Sequence, residues 1–286
     1  YLYRIAEDNN IPYPKTKEFD SLKEISDDCI DIMPPYIVKP QETVSQNLLN
    51  EKGIHSYHRT QKFESKEALT RWIKLLLDKD VDIPVLIQEF IPGTAETLYT
   101  LTSYSNKDGR MLAGSVGHKL RQFPPEAGRI TSGVLEKNIN VYEIGQKFLS
   151  VVGYHGLANT EFKFDSRDRK YKLMEINTRL GAWNYSTLYS GLNLIDVAIK
   201  DTLGITYGGP SSSNKNDGAI WYNLIYDLPS ALYMNKKFDN GKFKLSFKEW
   251  RKSLKNNSFE AVWSWKDPIP FVSYLWNMGK RTIKDL

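Results

Sequence analysis

The residues best suited to chemistry lie in Met174-Glu175-Ile176-Asn177-Thr178-Arg179. Side chains along a strand alternate between faces, so Glu175, Asn177 and Arg179 share one side and Met174, Ile176 and Thr178 the other. Glu161, between Thr160 and Phe162 on the preceding strand, adds a second carboxylate. Two carboxylates and an amide oxygen on one sheet face form a hard-oxygen cluster suited to Mg2+. The arginine beside them can clamp a carboxylate or a phosphate. A solvent-facing polar strand face fits the same spacing, and the pattern alone leaves both readings open.

Three further groups carry polar chemistry. Lys39 ends the apolar run Tyr36-Ile37-Val38, where a lysine can mark a sheet edge, snorkel to solvent or reach a phosphate. Gln88-Glu89-Phe90-Ile91-Pro92-Gly93 is a strand that breaks at a proline. Its backbone there can read an adenine edge, and Glu96 just beyond can take ribose hydroxyls. Gly117-His118-Lys119-Leu120-Arg121-Gln122, with Arg129 downstream, sets three cations near one strand end, as an anion site or a solvated basic loop.

The elements that must position these groups are mostly strands. Val85 to Glu89 is a buried strand, and Leu98 to Tyr104 and Met111 to Gly117 form a hairpin about Asn106-Lys107-Asp108-Gly109. Leu157 to Phe164 and Tyr171 to Ile176 form another pair about Ser166-Arg167-Asp168-Arg169. Gly114 to Gly133 reads as a basic, glycine-containing loop. Helices are predicted from Lys66 to Leu77 behind a Ser65 cap, with Leu69, Trp72, Ile73 and Leu76 on one face, from Val141 to Val152, and from Leu194 to Leu203. Strands joined by short turns give an α+β class with antiparallel sheets carrying helices, not a doubly wound βαβ fold.

The composition is that of a soluble globular protein: 286 residues, 41% hydrophobic and 26% charged, with no apolar run near the roughly 18 residues a membrane span needs. Cys29 is the one cysteine, so a reducing compartment and a cytoplasmic location are expected. The net charge of +5 is uneven: from Thr206 onward there are 13 Lys+Arg against 7 Asp+Glu, with five of the seven tryptophans (Trp221, Trp250, Trp263, Trp265, Trp276). Basic residues among aromatics suit a nucleic acid or an anionic membrane surface, or else a core segment with solvated lysines. No helix-turn-helix, RNP or zinc spacing supports nucleic-acid binding. The indoles are expected to pack mostly inward, with Asp267 to Phe271 as a turn anchoring the last helix. The chain begins Tyr-Leu-Tyr-Arg, so the native protein is expected to extend upstream.

In order and spacing, the strand ending Lys39-Pro40, the Gln88-to-Gly93 hinge, the basic stretch, and the paired Glu161 and Glu175-x-Asn177-x-Arg179 strands resemble the ATP-grasp superfamily over residues 1 to 204. Gly114 to Arg129 and Gly181 to Leu194 look like carboligases related to biotin carboxylase, and Arg179 to Tyr185 is similar to D-aspartate ligases. The resemblance implies two α+β subdomains whose antiparallel sheets grip ATP between them. It implies a lead-in at 1–33 from an absent N-terminal domain, a small subdomain at 34–92, a large one at 93–205 and an extension at 206–286. Lys39 would contact phosphates, and Gln88, Glu89, Phe90 and Ile91 would hold adenine, the last two through their backbone. Glu96 would hold ribose. Glu161, Glu175 and Asn177 would bind two Mg2+ ions (Mn2+ also suits), and Arg179, Lys119 and Arg121 would face the γ-phosphate and acyl substrate. A second lid cation is expected among Lys52, Arg59 and Lys62.

The implied reaction is ADP-forming ligation of a small-molecule carboxylate and an amine through an acyl phosphate. The alternative is a degenerate nucleotide-binding module with a partner-binding tail. A homodimer is compatible with either.

Overall fold

The computed structural model describes residues 2–41, 48–49, 51–52, 60–125, 128–209, 212, 215–232, 244–254 and 257–284. The chain divides into two compact units, one of residues 1–93 with 163–174, the other of 94–162 with 175–286.

The first unit holds α1 (Leu2–Asp8), β1 (Thr16–Phe19), β2 (Tyr36–Pro40), β3 (Gln61–Phe63), α2 (Lys66–Leu77) and β4 (Val85–Glu89). Its sheet has the order β1-β4-β2-β3, antiparallel throughout. Alternation sends Tyr36 and Val38 of β2 and Val85 and Ile87 of β4 into the core, against Leu69, Ile73 and Leu76 of α2. The Ser65 hydroxyl caps α2, accepting from the Ala68 N–H at 3.3 Å. The sequence division set residues 1–33 apart, but β1 lies within this sheet, hydrogen-bonded to β4.

The second sheet runs β11-β10-β7-β6-β5-β8-β9. Its strands are β5 (Leu98–Ser105), β6 (Met111–Phe123), β7 (Arg129–Leu135), β8 (Gly156–Asp165), β9 (Lys170–Asn177), β10 (Ile220–Tyr222) and β11 (Ser258–Glu260). The helices are α3 (Ile139–Val151), α4 (Tyr185–Tyr189), α5 (Leu194–Thr202), α6 (Leu224–Leu232), α7 (Phe247–Ser253) and α8 (Ile269–Lys284). The Asn106–Gly109 turn forms as expected: the Asn106 side chain accepts from the Asp108 and Arg110 N–H groups, and Gly109 takes a positive φ of 74°.

The reading of Gly114 to Gly133 as a loop is corrected. Most of that stretch is β6 and β7, paired from Gly117↔Leu135 to Phe123↔Arg129. Gly117 and Gly133 are not breakers but clearances. A Cβ on Gly117 or Gly133 would lie 2.4 or 2.5 Å from the Trp183 ring, so an indole remote in sequence lies flat where those two side chains are missing.

The segment after Thr206 joins this sheet: β10 pairs antiparallel with β7, and Trp221 lies opposite Gly133, its ring edge-on to Trp183 at 5.6 Å. Trp221 and Trp250 are buried and Trp263 is half-buried, but Trp265 and Trp276 are exposed, which corrects the expectation for those two. The Asp267 carboxylate accepts from the Ile269 N–H at the start of α8, which holds the Asp267–Phe271 turn at the helix entrance. No described helix is long and apolar enough to cross a membrane.

Candidate functional site

The first unit presents a polar face opposite its core. Pairing sets Thr16, Gln88, Ile37 and Lys62 in one row across all four strands. The next row is Glu18, Leu86 and Lys39. Paired residues in antiparallel strands point the same way, so both lysines share a face with the half-buried apolar Ile37 and Leu86. Gln88 is 1% exposed and fixed at both ends of its amide. Its Nε2 donates to the Thr16 hydroxyl at 2.8 Å, and its Oε1 accepts from the Lys39 ammonium at 3.3 Å. Two cations lie over the Phe90 ring, Lys62 at 4.2 Å and Lys163 at 5.1 Å from its centroid. Of the three lid candidates, Arg59 lies outside the described residues and Lys52 is exposed away from these rows. Lys62 is the one on the face of Lys39.

Glu89 takes a different position. Its carboxylate accepts from the Lys15 N–H at 3.0 Å, from Lys172 at 2.9 Å and from Arg167 at 2.9 Å. Burial pushes its carboxyl up, but these donors outweigh it and hold the group below the ordinary glutamate value. Lys172 and Arg167 also hold the fully buried Asp165, whose carboxyl the Arg167 hydrogen bonds, followed in strength by those of Lys172, draw far down despite burial. Sequence reasoning missed this cluster, because its members lie 78 and 83 residues from Glu89.

In the second unit, Asn177 donates its side-chain amide to Glu175 at 2.8 Å, so the strand alternation brings these two together. Lys119 is buried, with Nζ 3.4 Å from the Glu161 carboxylate and 3.4 Å from the Gln122 carbonyl. Both distances are long, and the ammonium is held loosely among acceptors. Arg179 follows β9, exposed, with one weak contact to the Leu180 carbonyl. Glu96 is exposed on a single 3-10 turn, Ala95–Thr97, packed on β6.

The three cations of the basic stretch do not converge. Bulges after Lys119 and Arg121 break the register of β6 against β7 and send them to separate partners. Arg121 is bidentate to Asp227 and its Nη1 donates to Ser253. Arg129 lies over the Tyr226 ring. Asp227 was missed too. Its signal was a lone carboxylate in the apolar run Leu224-Ile225-Tyr226-Asp227-Leu228, which implies a buried partner.

The donor set Glu161, Glu175 and Asn177 offers oxygen only. Among the described residues no group of three or more His, Cys, Asp or Glu gathers that could hold a metal ion, so the set rests on two carboxylates and one amide. That chemistry fits Mg2+.

Residues 136–208 match the family described as "Carbamoyl-phosphate synthase L chain, ATP binding domain". A D-aspartate ligase of Enterococcus faecium (strain Aus0004) is 26% identical over 258 residues, 86% of this chain and 58% of that protein. The chain thus spans less than two thirds of the length of this curated relative. Among solved structures, N5-carboxyaminoimidazole synthetase from Staphylococcus aureus complexed with ADP matches with a TM-score of 0.57 at 13% identity, covering 86% of this chain and 58% of that one. The L-amino acid ligase from Bacillus licheniformis matches with a TM-score of 0.50 at 16% identity, covering 71% and 46%. These structures have the same fold as this chain.

Proposed function

We propose, from its similarity to ATP-grasp ligases, that the chain belongs to that family and carries the nucleotide and metal sites of an ADP-forming carboxylate–amine ligase working through an acyl phosphate. The observation that carries the reading is that each of the two units carries an equipped face. One unit has fixed Gln88 with Lys39 and Lys62 around an apolar floor. The other has Glu175 bonded to Asn177, with Glu161 against Lys119.

Ile37 and Leu86 form the floor for the base, the Phe90 and Ile91 backbone reads its edge, and Glu96 takes ribose. Lys39 and Lys62 meet the phosphates, Lys62 acting as the second lid cation. Glu161, Glu175 and Asn177 would hold two Mg2+ ions, which would supply neutralisation of the phosphate charge. Lys119, held loosely between Glu161 and Gln122, is the cation that meets the acyl group. Arg179, exposed at the end of the same strand, clamps the acyl phosphate and the oxyanion that forms when an amine attacks. No protein nucleophile is needed. Glu89 acts on adenine indirectly, by fixing the strand end from which Phe90 and Ile91 project.

The substrates are a small-molecule carboxylate and an amine. The test is ADP release across carboxylate panels with hydroxylamine as the amine, using protein that includes any upstream region. Hydroxamate should appear with one carboxylate class. ATP binding with no ADP from any carboxylate would instead leave a nucleotide-binding module.

A further inference from the structure

The proposed function leaves α8 unused, and this helix has two apolar faces. One is seated: the Phe271 ring meets Trp263 edge-on at 5.3 Å, and Tyr274 meets Tyr226 at 6.1 Å. The other carries exposed apolar side chains. Ile269, Val272, Leu275 and Trp276, spaced i, i+3, i+6 and i+7, form one stripe and are 71%, 58%, 48% and 67% exposed. Trp265, just ahead of the helix, is 88% exposed. The sequence around the stripe is basic, with Lys266, Lys280, Arg281 and Lys284 against Asp267 and Asp285, within a stretch from Thr206 whose net charge is +6.

We propose that α8 is an in-plane membrane-surface helix that docks this protein on an anionic lipid bilayer. A short helix with an apolar stripe, tryptophans and flanking lysines lies in the interfacial plane, with its indoles at headgroup depth. An anionic leaflet takes the stripe and the cations together, whereas a second copy of this chain would bring the same cationic segment to the interface. Trp276 lies seven residues into α8, about 10 Å along its axis, and Trp265 just ahead of it, so both can enter one interface.

The full chain is sedimented with vesicles of phosphatidylcholine mixed with phosphatidylglycerol, and with phosphatidylcholine alone. It should be retained by the anionic vesicles, released by salt, and show a blue shift of tryptophan emission on binding. Val272→Asp, Trp276→Ser, or Lys280→Glu with Lys284→Glu should each weaken retention by about tenfold. Ile195→Asp, at a residue exposed on α5, should leave it unchanged and controls for general stickiness. Circular dichroism establishes that each variant is folded. Equal binding to both vesicle types, or to neither, overturns the proposal. So does a concentration-dependent dimer in vesicle-free solution that Val272→Asp abolishes, which would assign the stripe to a second copy.

Discussion

The Arg121 guanidinium holds the Asp227 carboxylate from two sides, Nε donating to Oδ1 at 2.9 Å and Nη2 to Oδ2 at 2.7 Å. Asp227 is fully buried and accepts two more bonds, from the Thr131 hydroxyl and the Trp250 indole at 2.8 Å each. Four donors match the four lone-pair positions of a carboxylate, so the charge is buried and satisfied. The cluster ties β6 and β7 to α6 and α7.

Asp227→Ala should therefore destabilise the protein by about 3–5 kcal/mol, because it strands a buried guanidinium, an indole N–H and a hydroxyl together. Urea unfolding measures it. Arg121→Lys separates structure from catalysis: a lysine cannot reproduce the bidentate bond, so stability should fall while ATP-dependent turnover of the folded fraction persists. Unchanged stability with lost turnover would return Arg121 to the role of phosphate clamp.

The Glu89–Asp165 cluster sets a pH dependence. Both carboxyls are held below their ordinary values in the folded chain, Asp165 chiefly by Arg167 and Glu89 by donors that overcome its burial. They therefore bind fewer protons folded than unfolded, and their stabilisation is complete above the ordinary carboxylate range of about pH 4. It is lost as pH falls below that range toward the depressed folded values. The urea midpoint should drop between pH 6 and pH 3, and Asp165→Asn should flatten that drop while costing about 3 kcal/mol at pH 7. An equal slope in wild type and variant would assign the acid sensitivity elsewhere.

What could be read in advance was local. The α2 helix shows its cap and 3.6-residue period within twelve positions, and the Glu175–Asn177 contact follows from alternation over three. The relations that escaped are long-range. Gly117 and Gly133 looked like loop residues because their reason, the Trp183 ring, lies far along the chain. Arg121 looked like an anion clamp because Asp227 is 106 residues away. A basic residue beside glycines reads the same whether its partner is a phosphate or a buried carboxylate, and only the fold decides.

The clearance under Trp183 is itself testable. Gly133→Ala would place a methyl 2.5 Å from the ring and 2.7 Å from the His118 carbonyl oxygen. One contact is with the interior of a packed indole and the other with backbone, so neither yields cheaply, and a loss of about 1–3 kcal/mol is expected. Thermal unfolding within error of wild type would mean the sheet can give way there.

For the metal face, Glu175→Gln and Asn177→Ala should each lower ADP formation by about a hundredfold or more without loss of fold. Glu175→Gln is nearly isosteric and keeps an acceptor for the Asn177 amide, so a structural role would leave it silent. Raising Mg2+ should partly rescue Asn177→Ala, where only one neutral ligand is lost. Near-wild-type turnover in both variants would remove these residues from the metal site.

The nucleotide face gives the sharpest separation of roles, because its lysines and its amide should act on different parts of one ligand. Lys39 and Lys62 stand in adjacent rows on the face of Gln88, and a cation there can reach phosphates but has nothing to gain from adenosine. A charge-assisted contact contributes about 1.5–3 kcal/mol, so Lys39→Ala and Lys62→Ala should each weaken ATP by roughly tenfold to a hundredfold and leave adenosine almost unchanged. Gln88→Leu should do the reverse in proportion, weakening ATP and adenosine alike. It removes the amide that fixes Thr16 and Lys39 and so loosens the strand end beside the base. Glu96→Ala should also weaken both, since the ribose is common to them. Titration calorimetry with the two ligands resolves all four variants. Equal weakening of ATP and adenosine by Lys39→Ala would make Lys39 a structural partner of Gln88, and Lys62 would then be the face's phosphate cation.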